Sequence, residues 1–500
     1  MIARPAWLTG AAGRCFWLAA FLVPAIVYLA GASWEPASWD TAELQGVPYI
    51  LGISHPTGFP FYVLLGYAWS HALPFGSVAL RMNAMSGFAM AIAAAAAYGV
   101  AIEFGASPAI GLAATLWFAF SPNVLQHASR AEAQDLAVMC QALAIYAYVR
   151  WMKGASAGWF AAAFALYGLG MAAHPNALWL LPALIAGAIV TRRRLSPRLI
   201  AGALALTLAG LLLYLYLPLR SAYVTAHGAD PAAPLAGAGG GIFWNYNDPH
   251  TLPGFAAELT GTESKTPQYL LDAFYPTRLP AHVQDALWAL ITTIESQYGA
   301  LAVVLLFIGF AISWRRDWRT TLFVTIACTA GLIFSVVYPN ESDVARYRLL
   351  VSWLAVPLVG ALTPQTLRGA PAALARVALL LFLAGGAGLA LYQQRGVFHH
   401  VPGEGGRWII DAVRPYVPPG SVVVTDWLDA TSLAYGAYAD GSLPGRIVVS
   451  DDKLRGELYR RWARGRRVFV LVDPNGVTSL PGARDYAKLD NYHELFEIAP

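Results

Sequence analysis

Two carboxylates and an imidazole lie close together near the start of the chain, in Trp39-Asp40-Thr41-Ala42-Glu43 and His55-Pro56-Thr57-Gly58-Phe59-Pro60. If 40–51 is helical, Asp40 and Glu43 stand three residues apart on one face and can address one substrate, with Pro56 and Pro60 ending that helix. The alternative is a surface loop carrying two solvated acids and a turn. The choice between the two rests on where the remaining polar residues fall. Glu132, His174, Arg220, Asp248, Asp343, Arg346 and Tyr347 stand at the ends of, or in loops between, separate apolar segments.

Ionisable side chains facing the interior of a membrane bundle are functional candidates, because lipid exposure would cost about 2.5 to 3.5 kcal/mol each. Bland readings stand beside them. Glu132 with Asp135 can be a helix N-terminal charge pair, and His174 before Pro175 can be a cap. Arg220 can anchor headgroups, and Asp343 can pair with Arg346 at i,i+3.

Acids gathered with arginines and histidines on one rim of a membrane suit transfer of a group from a lipid-linked phosphate donor to an acceptor outside. The phosphate needs cations, which His55, His174, Arg220 and Arg346 could supply. The acceptor hydroxyl needs a base, and Asp40 could serve, with Glu43 beside it. Glu132, Asp248, Asp343 and Tyr347 would shape the site. A divalent cation on Asp40, Glu43 and Glu132 is chemically reasonable, but spacing does not reveal whether one is needed.

The elements that must position these groups are membrane helices. Of 500 residues, 57% are hydrophobic and only 12% charged, with a mean hydropathy of +0.50, which marks a polytopic membrane protein. The formal net charge of +4 is scattered, with no basic stripe interleaved with aromatics, so nucleic acid is excluded as a partner. Cys15, Cys140 and Cys328 have no paired spacing and indicate neither disulfides nor zinc.

Arg4 and Arg14 precede an apolar run over 16–32 that ends in Ala30-Gly31-Ala32, a signal-peptide-like arrangement that we read as an uncleaved first helix. Apolar segments at 16–33, 78–103, 107–121, 133–152, 155–173, 175–190, 198–218, 298–314, 320–338, 348–363 and 376–393 give about eleven spans. The interrupted run 59–75 is treated as a re-entrant or interfacial helix. Arg150, Lys153, Arg192 to Arg194, Arg315, Arg316, Arg319, Arg368 and Arg376 then share the cytoplasmic side, and the polar clusters face outward. The expected organisation is a transmembrane catalytic domain over 1–395, with external loops at 34–77 and 219–297, in a bacterial inner membrane. The loop after Arg220 holds a flexible glycine run at Gly237 to Gly241, then Trp244-Asn-Tyr-Asn-Asp-Pro249. From 396 to 500, helices at 407–416, 429–438 and 453–464 alternate with short apolar strands at 421–425, 446–450 and 467–472, a small parallel α/β domain on the outer side. Asp426 and Asp429 sit where its first strand ends, the usual ligand side of such sheets, with Asp429 the expected helix N-cap.

An ordered series of motifs resembles one family of the GT-C superfamily of membrane glycosyltransferases, the family that includes a eukaryotic transmembrane protein O-mannosyltransferase. The series comprises Asp40-Thr-Ala-Glu43, Leu51-Gly-Ile-Ser-His-Pro-Thr-Gly-Phe-Pro-Phe-Tyr62, Arg81-Met-Asn83, Ser121-Pro122 leading to Ala131-Glu132, Gly170-Met-Ala-Ala-His174, Tyr216-Leu-Pro-Leu-Arg220, Trp244 to Pro249 with Gly254-Phe255, and Asp343 to Tyr347. The resemblance covers about residues 16 to 360. It implies a polyprenyl-phosphate sugar donor, an acceptor outside the membrane such as a protein hydroxyl or a glycan, and Asp40 as base. Thr57 and Ala133-Gln134 depart from the family pattern, which leaves the choice of acceptor open. The rivals are a transporter or flippase of lipid-linked glycans and a non-catalytic scaffold displaying 401–500. Charges at helix ends, with no repeated halves, favour the enzyme.

Overall fold

A computed structural model of the protein describes residues 11–235, 237, 241–262, 265–338, 344–364, 369–473 and 480–500. The chain divides into two compact units, one formed by 1–32, 86–213 and 265–399 and the other by 33–85, 214–264 and 400–500.

The first unit is a bundle of helices. Each apolar segment expected from the sequence falls on helix, including Ala11–Gly31, Val78–Glu103, Ala133–Met152, Ala157–Ala173, Pro197–Leu211, Leu349–Gly360 and Gly369–Gln393. Small residues let these helices approach closely. A Cβ on Gly210 would stand 2.4 Å from the Gly168 carbonyl carbon, and one on Gly309 would stand 2.1 Å from Leu358 O, so neither crossing tolerates a side chain.

By length and composition, five helices can cross a membrane among the described residues. There are six if Pro108–Ala119 and Pro122–Ala128, bent by 70°, form one span. Ala157–Ala173 and Pro175–Val190 are shorter apolar helices. The 298–314 and 320–338 segments form one helical run, Ala300–Thr329 with Leu332–Val337 after it, broken at Asp317 where φ is −156°. The protein is thus an integral, multi-pass membrane protein.

Basic residues collect at one end of this bundle. Lys153 Nζ meets Asp317 Oδ2 at 2.7 Å, Arg194 Nη1 donates to Met152 O at 3.3 Å, and Arg316 Nη1 donates to Ala361 O at 3.0 Å. Glu132 stands at the opposite end of Ala133–Met152, whose 20 residues rise about 30 Å, roughly the hydrocarbon thickness of a bilayer.

The second unit contains a five-stranded sheet: β1 (Val422–Thr425), β2 (Ile447–Ser450), β3 (Val468–Val472), β4 (Ala483–Lys488) and β5 (Glu494–Ile498), in the order β2-β1-β3-β5-β4. β1 pairs in parallel with both β2 and β3, with Val423 opposite Val448 and Phe469. The β-branched run of β1 is buried along its whole length, as a central parallel strand requires. The helices Gly406–Val413, Trp427–Ala434 and Gly456–Ala463 alternate with these strands, as expected. The antiparallel hairpin β4-β5 was not expected, because Ala483–Lys488 is mostly charged and exposed and has no apolar alternation to mark it.

The same unit takes in chain segments that sequence composition assigned elsewhere. The 400–500 portion packs with 33–85 and 214–264: Arg407 joins Glu35 at 2.9 Å to Asp440 at 2.6 Å, Gly406 N donates to Pro36 O, and Ala79 N donates to Tyr435 Oη. The remainder of the expected external loop, Thr266–Ala273 and Leu279–Tyr298, is helical and belongs to the bundle. Of the glycine run, 238–240 lie outside the described residues, while Gly241 N donates to Asp230 Oδ2 at 2.8 Å.

Candidate active site

Asp40 enters in the first turn of Trp39–Gly46, and Glu43 follows on the same face. The helix ends at Gly46, earlier than expected; Pro60 instead opens the next helix, Pro60–Ala72. Between the two helices the chain turns through Leu51 and Phe59, both with positive φ. Six of the eight non-glycine residues with positive φ among those described lie in 39–59 and 243–248, which concentrates backbone strain around one place.

That loop returns His55 to Glu43. The His55 backbone N donates to Glu43 Oε1 at 2.8 Å, and His55 Nδ1 meets Glu43 Oε2 in a short contact. Glu43 is fully buried, so both its oxygens serve the histidine. On its other side, His55 Nε2 lies 4.0 Å from Asp40 Oδ2, with the two side chains 20% and 26% exposed. Burial opposes the protonated ring, but the carboxylates of Glu43 and Asp40 outweigh it and raise the His55 pKa to about 9. At neutral pH an imidazolium therefore stands between two acidic side chains, one fully buried and one partly exposed.

Asp40 has a second partner that sequence reading missed. Trp427, the first residue of the helix after β1, donates Nε1–H to Asp40 Oδ1 at 2.9 Å. Its ring also meets His55 edge-on at 5.9 Å. Asp426 is the N-cap of that helix, accepting from Asp429 N at 3.2 Å, so the cap falls three residues before the one expected. Asp429 instead lies 3.3 Å from His493 Nε2, and burial raises its pKa to about 6.

The remaining supports are built from neighbouring segments. Tyr216 Oη lies 2.8 Å from Leu51 O and 2.7 Å from Gly52 O, and Arg220 Nη2 donates to Ile50 O at 3.3 Å while its guanidinium lies 5.1 Å from the Tyr223 ring. Asp248 holds its own turn, accepting from Asn245 Nδ2 at 2.7 Å and Ser221 Oγ at 3.3 Å, with His250 Nδ1 at 2.7 Å. Fully buried Glu258, also missed, accepts from Asn247 Nδ2 at 3.1 Å and adds negative charge around His55. Arg81 and Asn83 are structural: Arg81 Nη1 donates to Leu73 O at 3.1 Å, and Asn83 links Gln45 to Ser33 O.

The other candidates lie in the helical bundle. Glu132 accepts from Arg130 Nε at 2.9 Å and lies 3.7 Å from Arg346 Nη1, with His127 Nδ1 3.9 Å away. His174 ends Ala157–Ala173, and its Nδ1 accepts from Asn176 N at 3.1 Å, which is the capping role weighed above. Its ring lies 6.2 Å from Tyr347, which packs against Phe334 and Tyr338. Asp343 lies outside the described residues. Among the described residues, no group of three or more His, Cys, Asp or Glu side chains is arranged to hold a metal ion.

Residues 40–196 match the model of the family described as Protein O-mannosyl-transferase TMEM260 N-terminal domain, which bears out the family resemblance over that segment. The chain is 27% identical over 321 residues to Protein O-mannosyl-transferase TMEM260 of Mus musculus, covering 59% of this chain and 43% of that protein. It is 29% identical over 109 residues to the Dictyostelium discoideum protein of that name, 21% of this chain and 13% of the other. The chain therefore spans less than half the length of these relatives. Crystal structures of ArnT from Cupriavidus metallidurans, one apo and one bound to undecaprenyl phosphate, superpose with a TM-score of 0.59 at 13% identity, covering 98% of this chain and all of theirs. The fold is that GT-C fold, completed by a small α/β sheet.

Proposed function

We propose that this GT-C-fold membrane protein is a glycosyltransferase that moves a sugar from a polyprenyl-phosphate donor to a hydroxyl on an acceptor outside the membrane. The observation that carries the reading is the cluster of Asp40, His55 and Glu43 with Trp427. It joins a partly exposed carboxylate, Asp40, to the Trp427 indole and to the imidazole of His55, whose other side is held by both oxygens of the buried Glu43. The names of the similar proteins support the class of reaction, and the undecaprenyl phosphate bound to ArnT supports the class of donor.

In the proposed step the acceptor oxygen attacks the anomeric carbon, and its proton passes to Asp40 Oδ2. The bond from that carbon to the phosphate oxygen breaks, and the lipid phosphate leaves with the electron pair. A direct displacement of this kind inverts the anomeric centre. The phosphate is a good leaving group and needs positive charge more than a strong acid. Arg220 supplies it, held against the Ile50 carbonyl and the Tyr223 ring. His55 orients Asp40, and Glu43 positions His55. Sugar identity is left to assay, mannose being the first candidate from the relatives' names. We place the catalytic loop and the α/β segment on the outer face of a bacterial inner membrane, supported by the Lys and Arg content of the short loops between apolar segments, which marks the other face as cytoplasmic.

The test is to incubate the purified full-length protein with a panel of polyprenyl-phosphate sugars and measure released or transferred sugar, first without acceptor. Turnover of one donor supports the reading, and no turnover of any donor, with or without hydroxyl acceptors, refutes it.

A further inference from the structure

We infer that a cavity between the 224–248 segment and the carboxyl edge of the α/β sheet is the acceptor subsite, and that it takes a polypeptide segment whose acceptor hydroxyl is flanked by Lys or Arg. The inference rests on the reading of Asp40 as the base and adds the acceptor's class to it.

The cavity has a volume of about 800 Å³, and Trp427 forms part of its wall. A second cavity of about 410 Å³ shares Trp427 and is lined by Asp426, Asp473 and Trp39. Asp426 and Trp427 follow the end of β1, and Asp473 follows the end of β3. The strand order β2-β1-β3 reverses direction there, which is where open α/β sheets form their ligand crevice. The ring that walls both cavities also holds Asp40 through Nε1, so an acceptor seated against it lies beside the proposed base.

Charge and chemistry select the occupant. Asp230, Asp248, Asp451 and Asp452 line the larger cavity against Lys453 and Arg455, and Arg455 Nε is already paired with Asp451 at 2.8 Å. The charged residues of the smaller cavity are all acids. Such a lining repels a phosphate and attracts cations. Asn245 is 6% exposed, and its Oδ1 has no hydrogen-bond partner, leaving a buried acceptor for an amide or ammonium N–H in this wall. Tyr246 and Trp427, whose rings meet edge to face at 5.9 Å, offer apolar faces to the stems of Lys or Arg and to their charge.

The experiment uses the full-length protein with a donor it turns over and three peptides carrying one Ser and one Thr, flanked by Lys, Gln or Glu. The Lys-flanked peptide is expected to show a KM about 10-fold below the Glu-flanked one, with the gap closing at high salt. Asp452 is exposed, and its Oδ1 accepts from Trp427 N at 3.3 Å. D452K is expected to raise KM for the Lys peptide and to lower it for the Glu peptide, a gain that misfolding does not produce. Equal KM values for the three peptides, an unchanged preference in D452K, or a glycan or lipid acceptor used ahead of every peptide would overturn the inference while donor turnover stood. Absence of donor turnover would overturn the underlying reading and the inference with it.

Discussion

Trp427 and Asp40 lie 387 residues apart in sequence, and the indole Nε1–H of the first donates to Oδ1 of the second at 2.9 Å. The α/β segment therefore supplies a residue that orients the Asp40 carboxylate. In W427F most of the aromatic bulk stays and the hydrogen bond goes. A hydrogen bond to a charged group is worth about 1.5 to 3 kcal/mol, so kcat for transfer is expected to fall by about 10- to 100-fold. Donor KM should hold. A W427F enzyme with wild-type kcat would show that Asp40 needs no such partner.

His55 gives the reaction a pH limit. Its pKa is raised to about 9, so the stability gained by the protonated ring is fully present below the ordinary value near 6.5 and is lost as pH rises through about 9. The shift corresponds to about 3 kcal/mol at most. Activity and thermal stability should fall together on that alkaline limb. E43Q removes the largest of the three favourable charges, those of Glu43, Asp40 and Glu258, and should move the limb to lower pH. A limb that stays in place in E43Q would remove His55 as its origin.

Arg220 is argued to meet the donor phosphate. R220A is expected to raise donor KM by about 10-fold or more, and R220K should recover only part of it, because a point charge replaces a planar fork. Acceptor KM should not change. Unchanged donor KM in R220A would reduce the residue to its contacts with Ile50 and Tyr223.

Gly52 ties the loop between Gly46 and Pro60 to the 241–248 segment. Ile53 N donates to Phe243 O at 3.1 Å, and a Cβ on Gly52 would lie 1.8 Å from that oxygen. Backbone must move to admit it, so G52A is expected to destabilise the protein by about 1 to 3 kcal/mol and to cut activity. Denaturation of the purified variant would measure this, and an unshifted midpoint would contradict it.

The sequence carried the helices, because long Ala- and Leu-rich runs have one physical outcome, and it carried β1, whose four β-branched residues suit only a buried strand. Asp40, Glu43 and His55 were legible as a set because three-residue spacing and a proline-rich turn act locally. The assignment of Glu43 to His55 alone was not legible, since burial depends on what packs over the helix. Trp427 and Glu258 could not be paired with the loop from spacing at all. A tryptophan directly after a strand, beside Asp426 on the ligand side of the sheet, was the one signal available. The β4-β5 hairpin was invisible for the opposite reason: its outer strand is charged and held by its neighbour's backbone.

The central claim is that Asp40 takes the acceptor's proton, and D40N tests it most directly, because the amide keeps an oxygen for Trp427 and loses basicity. In a purified assay of sugar transfer from a polyprenyl-phosphate donor, we predict that D40N folds, binds donor, and loses transfer by about 10²- to 10⁴-fold. Transfer by D40N at the wild-type rate would contradict the account.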